Sequence, residues 1–159
     1  KVNLGYLGFR DGENKFTYPR FDEDKVNTML ASIGELCDYL IVDCTSSLSN
    51  PIAGAAVKTA GQVIRLASPD LASVSFFSSQ LRLYTDPEYR LNEHITGLNT
   101  PDSDLFMPIE EAKKRIPDIR FTTPYCCEVK QQMLDGKLYA EVADKKFNEK
   151  LRAIAEKVV

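Results

Sequence analysis

Short apolar runs alternate along this chain with segments in which apolar residues recur at helical spacing. The first helical pattern starts near residue 22 and spaces its apolar residues three and four positions apart, so that they share one face. These residues are Val26, Met29, Leu30, Ile33 and Leu36. The run 39–42 that follows is apolar at every position and too short for a helix, which predicts a strand inside a parallel sheet.

The same alternation continues to the end of the chain. Further strands are predicted at 2–7, 63–66, 94–98 and 119–121. Further helices are predicted at 51–60, 69–81, 108–115, 128–135 and 145–158. Ser68 and Asp144 are the expected N-caps, and Gly136 is expected just after the end of a helix. This order predicts one α/β domain over 1–159, with a mainly parallel sheet flanked by helices in three layers.

The bulk composition is that of an ordinary globular domain. Of the 159 residues, 43% are hydrophobic and 27% are charged, which allows a packed core. The net charge is −3 with Lys and Arg scattered, so charge alone gives no reason to expect nucleic-acid binding. No apolar stretch approaches the roughly 20 residues of a membrane span. The chain opens at Lys1, directly on a strand pattern and without a signal peptide, so we expect a piece of a longer protein.

The cysteines indicate a redox environment rather than a metal site. They are Cys37, Cys44, Cys126 and Cys127. None forms a CxxC pair, and the single histidine, His94, has no cysteine near it in sequence, so no zinc site is expected. Adjacent Cys126 and Cys127 would make an awkward disulfide framework. We therefore expect reduced thiols and a cytoplasmic location.

An aspartate and a hydroxyl-rich loop follow the predicted strand 39–42. Asp43 ends the strand, and the segment 45–49 reads TSSLS. Ordinary turn chemistry explains this composition, because Asp and Ser are common turn formers. A nucleotide site also explains it, because Mg²⁺ prefers oxygen ligands such as a carboxylate. A serine hydrolase is disfavoured, since there is no G-x-S-x-G motif and His94 has no recognisable acid partner.

Three segments in this order resemble the ParA/MinD family of deviant P-loop ATPases over nearly the whole chain. DYLIVDCTSSLSNP is similar to the family's Walker B strand and switch loop. TAGQVIRLASPDLASV is similar to its helix end, strand and polar helix start. PYCCEVKQQMLDGKLYAEV, followed by KKFNEKLRAIAEKVV, is similar to the segment after its last strand and its final helices. The resemblance implies a P-loop NTPase-like fold, truncated on the N-terminal side.

The resemblance also implies a function for the parent protein. Members of the family are ATP-controlled switches that bind ATP and Mg²⁺ at a homodimer interface. Nucleotide-controlled dimerisation changes the surface that such a protein presents to DNA, to a membrane or to a protein partner. The implied role is therefore intracellular positioning or partitioning.

Seven residues of this chain match positions that have roles in the family. They are Asp43, which orients magnesium through a bound water; Thr45 and Ser46, in the loop that senses the γ-phosphate; Asn99, at the adenine edge; and Thr123, Pro124 and Tyr125, in the loop around the base. The segment 99–102 also has the composition of a plain turn.

The phosphate-binding loop of the family is missing from this sequence. Such a loop needs G-x-x-x-x-G-K-[ST], because glycine N–H groups cradle the phosphates and the lysine neutralises them. The only Gly-Lys pair is Gly136-Lys137, which lies at a predicted helix end and is followed by Leu138. In the family the loop precedes every segment present here. We therefore expect no ATP hydrolysis by this chain alone.

A second function belongs to a different class. Pilus-assembly relatives of the family, of the TadZ type, are atypical in their nucleotide loop and act as positioning proteins. The segment after Asp43 is poorer in proline and glycine than the usual switch loop. The alternative to the ATPase is therefore a non-catalytic localisation or scaffold module.

Overall fold

A computed structural model describes residues 4–14, 16–17, 21–80, 86–100, 105–137 and 140–158. The chain divides into two compact units, Lys1–Thr59 and Ala60–Val159. The organisation of 1–159 as a single domain stays a prediction.

The unit Lys1–Thr59 contains two helices that pack on each other, α1 (Glu23–Gly34) and α2 (Pro51–Thr59). Both begin close to where the sequence predicts. In each, a polar side chain accepts hydrogen bonds from the first turn. Asp22 caps α1 by accepting from the backbone N–H of Lys25. Asn50 Oδ1 accepts from the first N–H groups of α2. Val26 of α1 and the small residues of the range 53–56 in α2 are buried.

The predicted strand at 39–42 is not formed among the described residues. The backbone groups of residues 38–46 take part in none of the hydrogen bonds between described backbone groups, and the Ile41 side chain is 90% exposed. The predicted opening strand is also wrong where it is described, since 4–7 is irregular and exposed; residues 2 and 3 lie outside the described residues. An apolar run indicates a buried strand only where a neighbouring strand pairs with it, and a sequence pattern does not supply that partner.

The unit Ala60–Val159 contains the sheet. Its strands are β1 (Ile64–Ala67), β2 (Ile95–Asn99) and β3 (Ile119–Thr123). Its α-helices are α3 (Leu71–Gln80), α4 (Ile109–Arg115), α5 (Cys127–Leu134) and α6 (Lys145–Val158). The strands are parallel in the order β1-β2-β3, with α3 between the first two and α4 between the last two. The α/β class and the parallel sheet are confirmed. Leu81, the predicted last residue of α3, lies outside the described residues.

The core of this unit lies where α3 and α4 pack near the sheet. β1 and β2 are in register with Ala67 opposite Leu98, and both side chains are buried. The same cluster includes Phe77 from α3 and Ala112 from α4. Leu98 is completely buried, so the middle strand holds the most protected leucine of the described residues.

Three helices of this unit end or begin at residues that cap them. Asp70, rather than the expected Ser68, caps α3: its carboxylate accepts from the Ser73 N–H, and the Ser68 N–H donates to the Ser73 hydroxyl. Asp144 caps α6 as predicted. Gly136 follows α5 with a positive φ of 65°, and the paired bonds of a Schellman motif close the helix there, as the sequence predicts.

Candidate functional site

The carboxyl ends of the three strands lie along one edge of the sheet, because the strands are parallel. In open α/β sheets, ligands bind outside this edge, where the loops that leave the strands diverge. Here β1 leads into the loop at 68–70, β2 ends at Asn99, and β3 leads into Pro124. Four of the seven residues singled out in the sequence lie at this edge: Asn99, Thr123, Pro124 and Tyr125.

Two side-chain hydrogen bonds join the ends of β2 and β3. Asn99 and Thr123 stand opposite each other in the strand register. The Thr123 hydroxyl donates to the Asn99 amide oxygen Oδ1 at 2.6 Å. The Thr100 hydroxyl donates to the backbone carbonyl of Thr123. The edge is therefore held by polar groups from both strands, and the Asn99 side chain has a defined orientation.

The loop after β1 and the start of α3 lie next to a second segment with apolar side chains. The backbone N–H of Met107 donates to the Pro69 carbonyl at 3.1 Å, which places the segment 105–107 next to the start of α3. Leu71 and Phe106 are both exposed in these two segments. Pro124 and Tyr125 follow β3 directly and are half-buried. A polar edge with neighbouring apolar side chains is the usual composition of a small-molecule site.

The other three predicted residues belong to the unit Lys1–Thr59. Asp43, Thr45 and Ser46 are all exposed. The Thr45 hydroxyl donates to the Ser47 carbonyl at 3.4 Å, which is the local bonding of a turn. Partial desolvation, together with the charge of Asp43, raises the pKa of the adjacent Cys44 thiol. Cys44 is therefore a poor nucleophile at neutral pH, because the thiolate is the reactive form.

The described residues contain no group of three or more His, Cys, Asp or Glu side chains that could hold a metal ion. The role implied for Asp43 needs only one carboxylate, since it acts on magnesium through a bound water. That role stays a prediction.

Within the described residues, no helix has both the length and the apolar character needed to cross a membrane.

His94 lies immediately before β2 and is half-buried. Its Nε2 donates to the Tyr89 carbonyl at 2.7 Å, which leaves Nδ1 as the unprotonated ring nitrogen. Nδ1 is buried and makes no hydrogen bond to the residues described here. Burial lowers the pKa of His94, and the positive charges of Arg65 and Arg90 lower it further. The hydrogen bond to Tyr89 and the charge of Glu93 partly oppose this shift.

We expect this histidine to make stability fall in mild acid. The unfolded chain binds a proton near the ordinary pKa of 6.5, whereas the folded protein binds it only at lower pH. The free energy of unfolding should therefore decrease as the pH falls below that value, until the lowered pKa is reached. Urea titrations at about pH 7.5 and about pH 5 measure the loss, and His94→Gln should lose less than the parent chain. Equal losses in both proteins would contradict this role for His94.

The resemblance places Thr123 in the loop around the base, but the sequence does not predict its hydrogen bond to Asn99. The strand β3 was expected to end at residue 121, but it extends to Thr123 and so brings this hydroxyl opposite Asn99. The β-branched residues Thr122 and Thr123 just before Pro124 are the sequence signal for the longer strand, because such residues favour strands and Pro ends them.

No protein-family model matches the chain, and no curated protein or solved structure is significantly similar to it.

Proposed function

We propose that this chain is part of an ATP-binding switch protein of the ParA/MinD type, which acts in intracellular positioning or partitioning. The observation that supports the proposal most is the polar network at the carboxyl edge of a parallel sheet. There Asn99 and Thr123 are joined by a side-chain hydrogen bond, and Pro124 and Tyr125 follow directly. A nucleotide base fits this chemistry, because an asparagine amide pairs with the edge of a purine.

The proposed roles follow from the chemistry of each side chain. The Asn99 amide binds the base edge, and the loop at Pro124 and Tyr125 shields the base from water. Separately, within the unit Lys1–Thr59, Asp43 is proposed to orient magnesium through a water, and Thr45 and Ser46 to contact a γ-phosphate. Magnesium supplies positive charge that neutralises the phosphates. The main phosphate cradle is a glycine-rich, lysine-containing loop encoded upstream of Lys1, so the proposed fold is a P-loop NTPase-like fold truncated on its N-terminal side.

Nucleotide binding would then control a homodimer. In the proposed switch, the bound nucleotide changes the surface presented to a DNA, membrane or protein partner. The chain by itself lacks the phosphate cradle, and the loss of such contacts weakens nucleotide binding by several kcal/mol. Clear ATP turnover by residues 1–159 alone would contradict the proposal that hydrolysis needs a phosphate-binding loop outside this chain.

Calorimetric titration of the full-length protein with ATP and Mg²⁺ tests the proposal. The parent protein should bind with micromolar affinity and hydrolyse ATP slowly. Asn99→Ala should weaken binding by about tenfold, because a bidentate contact to the base is lost. Asn92→Ala is the matched control, since Asn92 is an exposed asparagine on a 3-10 turn of the same unit, and it should bind like the parent.

A scaffold module of the TadZ type is the second candidate. Leu36, Tyr39 and Ile41 are all strongly exposed within a short segment, and clustered exposed apolar side chains indicate a protein interaction surface. If the same calorimetry shows no heat of ATP binding, and the part of the gene upstream of Lys1 encodes no glycine-lysine loop, the scaffold function is favoured over the ATP-binding switch.

A further inference from the structure

We infer that Thr123 is a positioning residue that sets base selectivity by holding the Asn99 amide in one of its two orientations. The inference rests on the proposed nucleotide site. It adds a residue whose side chain has a role at that site without touching the ligand itself.

The hydrogen bond from Thr123 distinguishes the oxygen end of the Asn99 side-chain amide from its nitrogen end. Thr123 donates its hydroxyl proton to Asn99 Oδ1, so the amide nitrogen Nδ2 is the end that points away from Thr123. Nδ2 makes no hydrogen bond to the described part of the chain. The Thr100 hydroxyl bonds the Thr123 carbonyl, which fixes the end of β3 against that of β2. The amide is thus oriented by a strand that is itself tied in place.

Thr123 favours this orientation over the flipped one. An asparagine amide has an acceptor end and a donor end of nearly the same shape, and a flip exchanges them. After a flip, Nδ2 would donate to the threonine oxygen. The threonine proton would then lose its acceptor, because Thr123 Oγ1 has no other acceptor among the described residues. A half-buried hydroxyl left without its bond is unfavourable.

The orientation of the amide decides which purine it matches. On the Watson–Crick edge, an asparagine pairs with adenine by accepting from the 6-amino group and donating to N1. On the same edge, a 6-oxopurine such as hypoxanthine carries an oxygen at position 6 and a proton on N1, so it needs the reversed amide. An amide held in one orientation distinguishes the two bases, whereas an amide that flips freely matches either. Thr123 therefore affects selectivity more than affinity.

A purely structural role for Thr123 makes a different prediction. The same bond ties β2 to β3, so its loss could loosen the sheet edge. A loosened edge would weaken the binding of every nucleotide alike and leave the ratio between two bases unchanged. The ratio of the dissociation constants of ATP and inosine triphosphate is therefore the informative measurement.

The experiment measures the affinity of the full-length protein for Mg·ATP and Mg·inosine triphosphate. We expect the parent protein to prefer ATP by about tenfold, and Thr123→Val to reduce this preference to about twofold. Thr123→Ser keeps the hydroxyl and should keep the preference. Thr122→Val is the matched control, because Thr122 is the neighbouring residue and lies opposite Leu98 rather than Asn99. It should also keep the preference.

The outcomes separate the inference from the function on which it rests. Nucleotide binding with the same selectivity in the parent and in Thr123→Val overturns the role of Thr123 and leaves the nucleotide site standing. A parent protein that binds neither nucleotide overturns both. If Thr123→Val does not fold, Thr123→Ala removes the same hydroxyl without placing a second methyl group beside the Asn99 amide. The same loss of selectivity there supports the inference, and an unchanged ratio overturns it.

Discussion

Leu98→Ala is expected to lower the free energy of unfolding of the unit Ala60–Val159 by about 3 kcal/mol, because it leaves a cavity in the core. Leu98 is 0% exposed in the middle strand, and its cluster draws residues from α3 and α4 as well as from the sheet. A position enclosed by a sheet and two helices cannot collapse easily after truncation. Urea denaturation followed by circular dichroism measures the change.

Leu66→Ala is the control for this loss. Leu66 lies on β1, next to the strand that carries Leu98, and its side chain is 59% exposed. The same truncation there removes little buried surface and should change the free energy of unfolding by less than about 1 kcal/mol. Equal effects at the two leucines would show that the core does not lie where α3 and α4 pack near the sheet.

Gly97→Ala is expected to lower the free energy of unfolding by about 2 kcal/mol, through crowding rather than through a cavity. A methyl group built at this position would lie 2.3 Å from Cζ of the Phe121 ring, far inside normal contact. Gly97 stands opposite Phe121 in the register of β2 and β3, so the ring lies across the glycine. The ring has to swing away before the methyl group fits. Thermal and urea unfolding both measure this cost.

A double variant shows whether the ring causes the loss. In a Phe121→Ala background the added methyl group meets no ring, so Gly97→Ala should then cost less than about 0.5 kcal/mol. Gly61→Ala serves as the control, because a methyl group there meets nothing within 4 Å and the backbone has no positive φ. It should be close to neutral. An undiminished cost in the Phe121→Ala background would contradict the crowding.

Most of the unit Ala60–Val159 could be predicted from the sequence. The spacing of its apolar residues agrees with the capping and turn residues at the ends of its helices and strands. The helix α5 illustrates this: it ends where Gly136 supplies the left-handed residue that its last turn requires. The cap of α3 was assigned two residues too early, since Ser68 and Asp70 are both good N-cap residues. Only the bond from Ser73 to Asp70 decides between them.

The segment 39–42 could not be predicted because its pattern depends on a partner. Four apolar residues in a row suit a buried strand, yet Ile41 is almost fully exposed and no strand forms there among the described residues. The contact that orients Asn99 at the candidate site could not be predicted for the same reason. Asn99 was singled out by resemblance, but the bond that orients it comes from Thr123, a residue 24 positions away in the chain. Strand register, which no local pattern encodes, creates that contact.

The most direct measurement for the nucleotide site is a titration of the isotope-labelled full-length protein with Mg·ATP, followed by nuclear magnetic resonance. The account predicts that the side-chain amide signal of Asn99 and the backbone signals of Thr123 and Tyr125 shift together and saturate. Asn92 precedes the amino end of β2, at the opposite end of this strand from Asn99, and should stay unchanged. If ATP leaves the signals at the ends of β2 and β3 where they are, there is no nucleotide site at this edge.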